Sequence, residues 1–149
     1  MDDGEVSPTC TFCQIAAGTL PAAKVYETAG AVAFLDKRPL FPGHCLLIPR
    51  PHIETLIDLP PEETAPLFEA VRILAAAVET AMQAEGSFVA INNRVSQSVP
   101  HLHVHIVPRR RKDGLKGFFW PRRTYRDDAE LESTQRAIQQ AVECLLRSR

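Results

Sequence analysis

The sequence predicts an α+β fold with about five mainly antiparallel strands, one long helix between strands three and four, and a C-terminal helix. Two observations carry this prediction. Short runs with strand periodicity recur between residues 24 and 107, and runs with helical periodicity follow residues 58 and 127. Because 149 residues of this pattern fit one core, we expect a single domain over 1–149, with its core at about 10–109 and a C-terminal tail and helix at 110–149.

Four short apolar runs predict the first four strands. Residues 24–27 and 31–35 are separated by Thr28-Ala-Gly30, a turn signal that predicts a β-hairpin. A third run covers residues 44–48 and ends at Pro49. The fourth run, at residues 87–91, leads into the polar loop that begins with Asn92 and Asn93.

Two amphipathic stretches predict the helices. The long helix begins near Pro61, with Glu62 and Glu63 suited to its N-terminal dipole, and its apolar stripe is Leu67, Val71, Leu74, Val78 and Met82. Pro66 removes one helix hydrogen bond, so we expect a kink in the first turns or a delay of regular helix to about residue 66. The second helix is predicted at 127–147, with the stripe Leu131, Ile138, Val142 and Leu145.

Strict alternation of histidine with apolar residues predicts the fifth strand. The three histidines are His101, His103 and His105, and the residues between and after them are Leu102, Val104 and Ile106. Residues two apart share a face of a strand, so the imidazoles are expected in a row at ~6.6 Å intervals with the apolar side chains in the core. Pro100 and Pro108 bracket the run and limit it to about seven residues.

Three interpretations of these histidines are open: exposed surface residues, a metal site built from all three, or nucleophilic catalysis by one imidazole. Gln97 and Ser98 lie just before the strand and offer neutral hydrogen-bond donors to phosphate oxygens, which favours catalysis. A metallohydrolase with its metal on the triad, and a nucleotide-binding module with little turnover, are the alternative functions.

Seven motifs in fixed order carry a family resemblance. His101-Leu-His103-Val-His105-Ile-Val resembles the signature of the histidine-triad (HIT) family of nucleotide hydrolases and transferases. The other motifs are Cys10-Thr-Phe-Cys13-Gln-Ile, Leu20-Pro-Ala-Ala-Lys-Val, Ala33-Phe-Leu-Asp36, Pro42-Gly-His44, Ile48-Pro-Arg-Pro-His52 and Gln97-Ser-Val. They span about two thirds of the chain, so the whole chain is expected to be one HIT-like domain.

The resemblance implies hydrolysis at the α-phosphate of adenosine phosphoramidates or dinucleoside polyphosphates, with release of a nucleoside monophosphate. His103 is the expected nucleophile, forming a covalent nucleotidyl-histidine, and His105 is expected to bond the phosphoryl oxygens and help protonate the leaving group. The nucleotide-binding residues implied are Asp36 for the ribose hydroxyls, and His44, Asn92, Gln97 and Ser98 for the phosphates. A homodimer and a preference for adenine are also implied.

The loop at 92–97 departs from the resembled family. The usual loop is glycine-rich, whereas this one is shorter by about two residues and contains no glycine. Since asparagine tolerates left-handed backbone angles, we expect Asn92 or Asn93 to take the turn position. Arg94 is open to two interpretations, a phosphate contact or a solvated side chain.

The Cys10-x-x-Cys13 motif predicts a metal site rather than a redox pair, because it follows polar residues and no strand. Zinc is favoured and needs two further ligands; His52 is available, and His101 is a candidate for the fourth. In zinc-containing members of the resembled family these same four positions hold the metal. We expect a structural zinc and no organic cofactor, the alternative being two reduced, unmetallated thiols.

Composition and charge limit which partners and which cellular location are expected. The formal net charge is −1, which gives no reason to expect nucleic acid or membrane binding, and the acidic residues 1–6 lack the apolar segment of a signal peptide, so a cytoplasmic protein is expected. The basic run 109–112 either attracts polyphosphate or is a solvated loop. The aromatic tail, Phe118-Phe-Trp120, is expected to cover the nucleotide pocket or dock on a second subunit.

Overall fold

The computed structural model describes residues 7–116 and 122–148. The chain divides into two compact units, Met1–Leu115 and Lys116–Arg149. The acidic N-terminal residues 1–6 and the aromatic tail at 117–121, for which interpretations were offered above, lie outside the described residues.

The first unit contains a five-stranded sheet in the order β1-β2-β3-β5-β4, and every neighbouring pair is antiparallel. The strands are β1 (Lys24–Glu27), β2 (Ala31–Leu35), β3 (Cys45–Pro49), β4 (Gly86–Ala90) and β5 (Val104–Arg109). The helices of this unit are α1 (Thr11–Ala17) and α2 (Pro61–Ala81), with a short 3-10 helix at Leu56–Asp58. The predicted α+β class and strand number are confirmed.

The sheet buries both of its faces in the first unit. On one face the stripe of α2 packs against alternate strand residues, including Ala33, Leu47, Val104 and Ile106. On the other face α1 packs against the remaining alternate residues, namely Val32, Phe34, Leu46 and Ile48. Because side chains alternate along β5, Val104 and Ile106 enter the α2 face and His105 between them faces the α1 side. Helix α2 therefore packs on the face of the sheet opposite to His105.

Helix α1 is the element that the periodicity of the sequence did not predict. Its N-cap is Cys10, whose sulfur accepts a hydrogen bond from the Cys13 backbone N–H at 3.5 Å. Its C-terminus is set by Gly18 in the left-handed conformation, with φ +81°. With only seven residues, the helix is too short for a periodic pattern to emerge.

Two prolines behave differently from expectation. Regular helix in α2 starts at Pro61, so the delay to about residue 66 is wrong, while the alternative of a kink in the first turns stays a prediction; Pro66 lies inside the helix and is exposed. Strand β5 begins at Val104 rather than at His101, and it continues through Pro108. Pairing with β3 ends at Ile106, so the missing N–H of Pro108 costs no bond to that strand.

The second unit contains helix α3 (Asp128–Arg147), where the C-terminal helix was predicted. Asp127 caps it by accepting a hydrogen bond from the Glu130 backbone N–H at 2.8 Å. Among the described residues, no helix combines the length and the apolar character that a membrane crossing requires.

Candidate functional site

His103 lies at the entrance to β5 with its ring almost completely buried. Its Nδ1 is 2.7 Å from the backbone carbonyl oxygen of His101. A carbonyl oxygen only accepts hydrogen bonds, so Nδ1 carries the proton and donates it. The lone pair of a neutral His103 is therefore on Nε2, the form that an attacking imidazole needs.

Two further imidazoles, those of His44 and His105, lie beside His103. His44 Nε2 is 3.0 Å from His105 Nδ1, and the Leu40 backbone N–H donates to His44 Nδ1 at 3.1 Å. Because His44 accepts at Nδ1, its proton is on Nε2, and that nitrogen donates to His105. The proton of a neutral His105 is then on Nε2. The Leu40 N–H thus fixes the tautomer of His44, and His44 fixes the tautomer of His105.

Asp36 completes this group at the end of β2. Its Oδ1 accepts a hydrogen bond from the Arg38 backbone N–H at 2.9 Å, and its Oδ2 is 3.8 Å from His44 Nε2. Asp36, His44 and His105 have the composition of a metal site. However, the Leu40 N–H occupies His44 Nδ1, so His44 Nε2 holds a proton instead of a free lone pair. The arrangement fits a hydrogen-bonded relay better than a metal centre.

Burial keeps His44 and His105 neutral at pH 7. Desolvation lowers the pKa of His44, opposed in part by the negative charge of Asp36. Desolvation, followed by the neighbouring His103 and His44, lowers the pKa of His105 to about 4. The His103 and His105 rings are 5.0 Å apart between centroids, so two charged imidazoles would repel each other strongly there.

Four further side chains converge on a second cluster. Cys13 Sγ is 3.2 Å from His52 Nδ1, and the sulfurs of Cys10 and Cys13 are each 3.5 Å from His101 Nδ1. Bonds of about 2.3 Å to sulfur and 2.0–2.1 Å to nitrogen place tetrahedral zinc ligands about 3.6 Å apart, so the residues fit zinc. His101 Nε2 donates to the Pro49 carbonyl at 2.8 Å, which leaves Nδ1 as the ligand atom.

The cysteines of this cluster are inside the fold. Cys13 is fully buried and Cys10 nearly so, while His52 is half-buried. Desolvation raises the pKa of the Cys13 thiol, so metal binding must displace a proton from it. All four cysteines are free thiols, and Cys45 is buried on the α2 face away from the cluster.

The loop between β4 and β5 lies beside the histidines. Ala90 pairs with His105, so continuing this register by two residues places Asn92 opposite His103. The Gln97 amide donates to the Glu54 carbonyl at 2.6 Å and accepts from the Arg94 backbone N–H at 2.8 Å. Ser98 follows and is exposed. Gln97 thus braces the loop, and the roles of Asn92 and Ser98 toward a nucleotide stay predictions.

The left-handed positions of this loop were predicted incorrectly. Arg94 and Ser96 have φ of 68° and 62°, whereas neither Asn92 nor Asn93 has a positive φ. Asn93 instead accepts a hydrogen bond from the Leu56 backbone N–H at 2.9 Å. That bond fixes Asn93 in the loop, and the turn is made by the residues that follow it.

The basic run 109–112 belongs to the opposite end of β5. Arg109 forms two hydrogen bonds with the Asp113 carboxylate, Arg110 donates to the Met82 carbonyl, and Arg111 lies 3.7 Å from Glu85. Arg109 is six residues beyond His103, or about 20 Å along a strand. Arg110 and Arg111 hold the loop to the residues that follow α2, Arg109 pairs within the loop, and all three arginines are remote from the histidine pair.

Sequence reasoning missed two members of the site, Phe12 and Leu40. Phe12 packs edge-on against the His103 ring at 5.1 Å between centroids. Leu40 contributes only its backbone N–H, which no residue type reveals. The aromatic residue inside the Cys-x-x-Cys motif was the one available signal for Phe12.

Comparison with known proteins gives a consistent result. Residues 17–112 match the HIT domain family. An uncharacterized HIT-like protein of Mycobacterium tuberculosis is 36% identical over 138 residues, 89% of this chain and 92% of that protein. Adenosine 5'-monophosphoramidase of Schizosaccharomyces pombe is 36% identical over 76% of this chain and 84% of its own length. The asymmetrical bis(5'-nucleosyl)-tetraphosphatase of that yeast is 40% identical over 59% of this chain and 50% of its own length.

Solved structures show the same fold. A Streptococcus mutans protein superimposes with a TM-score of 0.85 at 32% identity, covering 95% of this chain and 90% of that one. A zinc-bound histidine triad family protein of Mycobacterium smegmatis superimposes with a TM-score of 0.69 at 35% identity, covering 87% and 97%.

Proposed function

The chain belongs to the HIT domain family, a family that includes hydrolases, and on this premise we propose that it is a nucleotide hydrolase that cleaves at the α-phosphate. The observation that carries the proposal is the bond from His103 Nδ1 to the His101 carbonyl, which leaves Nε2 unprotonated. The substrates we propose are adenosine phosphoramidates or dinucleoside polyphosphates. Relatives named for phosphoramidase and tetraphosphatase activities support this class.

The reaction proceeds in two displacements. His103 Nε2 attacks the α-phosphorus, a P–N bond forms, and the bond from phosphorus to the leaving nitrogen or oxygen breaks. Water then attacks the nucleotidyl-histidine, the P–N bond breaks, and a nucleoside monophosphate leaves with the oxygen of that water. The proton stays on His103 Nδ1, hydrogen-bonded to the His101 carbonyl oxygen throughout, and this bond disperses the positive charge that the ring gains on phosphorylation.

His105 acts beside the nucleophile. With its Nδ1 occupied by His44, its Nε2–H is free to donate to a phosphoryl oxygen or toward the leaving group. Burial keeps the free ring neutral, and the negative charge of a bound phosphate favours its protonation. The protonated form of His105, which can give a proton to the leaving group, is therefore more populated when substrate is bound.

The remaining predicted residues hold the nucleotide. Asp36 Oδ2 accepts hydrogen bonds from the ribose hydroxyls, and His44 orients His105 next to the phosphates. Asn92 and Ser98 supply neutral donors to the α-phosphate oxygens, and Gln97 contributes its second amide hydrogen while bracing the loop. Adenine is the base we favour.

We propose zinc at Cys10, Cys13, His52 and His101, supported by the fit of the donor distances and by a zinc-bound structural relative. Four protein ligands leave no open position, so the ion supplies structural cross-linking and no Lewis-acid chemistry. A homodimer, a single domain over 1–149 and a cytoplasmic location complete the proposal.

The test is to trap the covalent intermediate. The protein is mixed with α-phosphate-labelled diadenosine polyphosphate or adenosine phosphoramidate and quenched without acid, with and without chelator. Label on the protein that is lost in acid, kept in base and absent from His103→Ala supports the proposal. Turnover that disappears with chelator and shows no adduct would indicate a metallohydrolase, and AMP binding without adduct or turnover would indicate a binding module.

A further inference from the structure

The candidate metal cluster and the nucleophile share residue 101. The side chain of His101 faces the cysteines, and its backbone carbonyl accepts the proton of His103 Nδ1. We propose that the metal cluster positions the nucleophile: metal occupancy holds His103 in its reactive tautomer, with Phe12 as a second positioning residue. The catalytic part of this proposal rests on the proposed function, whereas the structural part does not.

The first link runs through the backbone. His101 is held at both ring nitrogens, by the Pro49 carbonyl at 2.8 Å and by two sulfurs at 3.5 Å. The peptide units on either side are also fixed, since the His101 N–H donates to Val99 and the Leu102 N–H to Ile53. A metal on Nδ1 would add a further constraint, so its loss is expected to loosen the orientation of the carbonyl that binds His103.

The second link runs through Phe12. Phe12 lies between the two cysteines in sequence, and its ring is 5.1 Å from His103 and 6.0 Å from His101, edge-on to both. It is 7% exposed and also packs on Phe34 at 5.4 Å. Anchoring Cys10 and Cys13 to one ion therefore fixes the aromatic ring that borders the nucleophile.

A metal would strengthen the cluster greatly, because the other polar contacts between its side chains are weak. Without it, the cluster is joined only by contacts of 3.2–3.5 Å between thiols and imidazoles, and sulfur is a poor hydrogen-bond partner. Helix α1 has seven residues, well below the length of about 12–15 at which an isolated helix is even marginal in water. Its place against the sheet depends on side-chain anchors, of which the ion would be the strongest.

The first experiment measures the tautomer of His103 directly. Histidine is labelled with ¹⁵N, the His103 signals are assigned as those missing from His103→Gln, and spectra are compared for zinc-loaded and chelator-stripped protein. We expect a single Nδ1–H tautomer with zinc, and Nδ1 and Nε2 signals that move toward each other after stripping. Unchanged His103 signals in folded protein verified to be metal-free would overturn the proposal.

Matched cysteine variants separate the cluster from general thiol effects. Cys13→Ser is expected to lose zinc and shift the His103 signals. Cys45→Ser removes another buried thiol, on the α2 face, and is expected to keep zinc and the wild-type signals. Equal signals in the two variants would contradict the proposed link.

Phe12→Leu tests the second link, through Phe12, even if metal-free protein unfolds. This variant is expected to keep one zinc per chain, to shift the His103 signals and to lower kcat about tenfold with little change in KM, in the range of losses seen when ligand-supporting residues are removed. Unchanged signals and kcat would refute the role of Phe12. If no nucleotide is hydrolysed at all, the proposed function fails, while the tautomer measurement still decides whether the cluster positions His103.

Discussion

Replacing His44 tests the imidazole relay most directly. In the folded protein His44 Nε2–H donates to His105 Nδ1 at 3.0 Å, and His44 itself is 3% exposed. A buried hydrogen bond of this kind contributes about 0.5–1.5 kcal/mol net, and it is the contact that selects the Nε2–H tautomer of His105. His44→Phe fills much of the volume and removes the donor.

We expect His44→Phe to lower kcat about tenfold, because about 1.4 kcal/mol of preference for one tautomer corresponds to a factor of ten. His44→Gln is the matched variant, since its amide N–H reaches the position of Nε2 and donates to His105 again. It is expected to recover part of the loss, although it forfeits the bond from Leu40.

Single-turnover hydrolysis of an adenosine phosphoramidate, followed by release of AMP, measures the chemical step for both variants. Circular dichroism and zinc content confirm that each variant is folded and metallated. Equal rates for the phenylalanine and glutamine variants would refute the reasoning, because only one of them restores the donor.

Three further predictions follow from the same geometry. The pKa of His105 falls from 6.5 to about 4 on folding, so the unfolded chain binds the extra proton between these pH values. The full contribution of His105 to the free energy of unfolding is therefore present above about pH 6.5, and up to about 3 kcal/mol of it is lost as the pH drops to 4. The midpoint of urea unfolding, measured across this pH range, reports the loss. His105→Asn should flatten the pH dependence of the midpoint. Ser96→Gly relieves a φ of 62° and is expected to stabilise the protein by about 0.5–1 kcal/mol, whereas Val95→Gly in the same loop, without positive φ, should destabilise it. Leu102→Ala empties a site that is 1% exposed and should cost about 2–5 kcal/mol in chemical denaturation, while Val95→Ala, at an 82% exposed site, should change stability by less than about 0.5 kcal/mol.

Local pattern was sufficient for most of the fold. The alternation at His101–Ile106 predicted which residues enter the core, and Leu102, Val104 and Ile106 are indeed buried. Short apolar runs predicted the first four strands, and the alternation of histidine with apolar residues predicted the fifth. The fold was predicted less well at helix α1, which is too short to show a periodic pattern, and at the starts of α2 and β5, which local pattern did not give.

The composition of the site was harder to predict than the strands. The motifs grouped Cys10, Cys13, His52 and His101 as metal ligands, and the structure brings these four side chains together. The pairing of His44 with His105 needs the register of β3 against β5, which places Leu46 rather than His44 opposite His105. The contact between His44 and His105 depends on the lengths and directions of the two side chains, which neither periodicity nor spacing in the sequence reveals.

The order of the strands also determines when this chemistry becomes available during folding. His44 and His105 are 61 residues apart in sequence, and Cys10 and His101 are 91 apart. Such distant partners meet only after long loops have closed, and closing them is the slow part of folding for topologies rich in non-local contacts. A chain still emerging from the ribosome can form the β1–β2 hairpin and α2, but it has no relay and no completed cluster until β5 is available. Appearance of turnover after refolding is thus expected to lag behind the return of helical signal, and so to mark the last closure of the sheet.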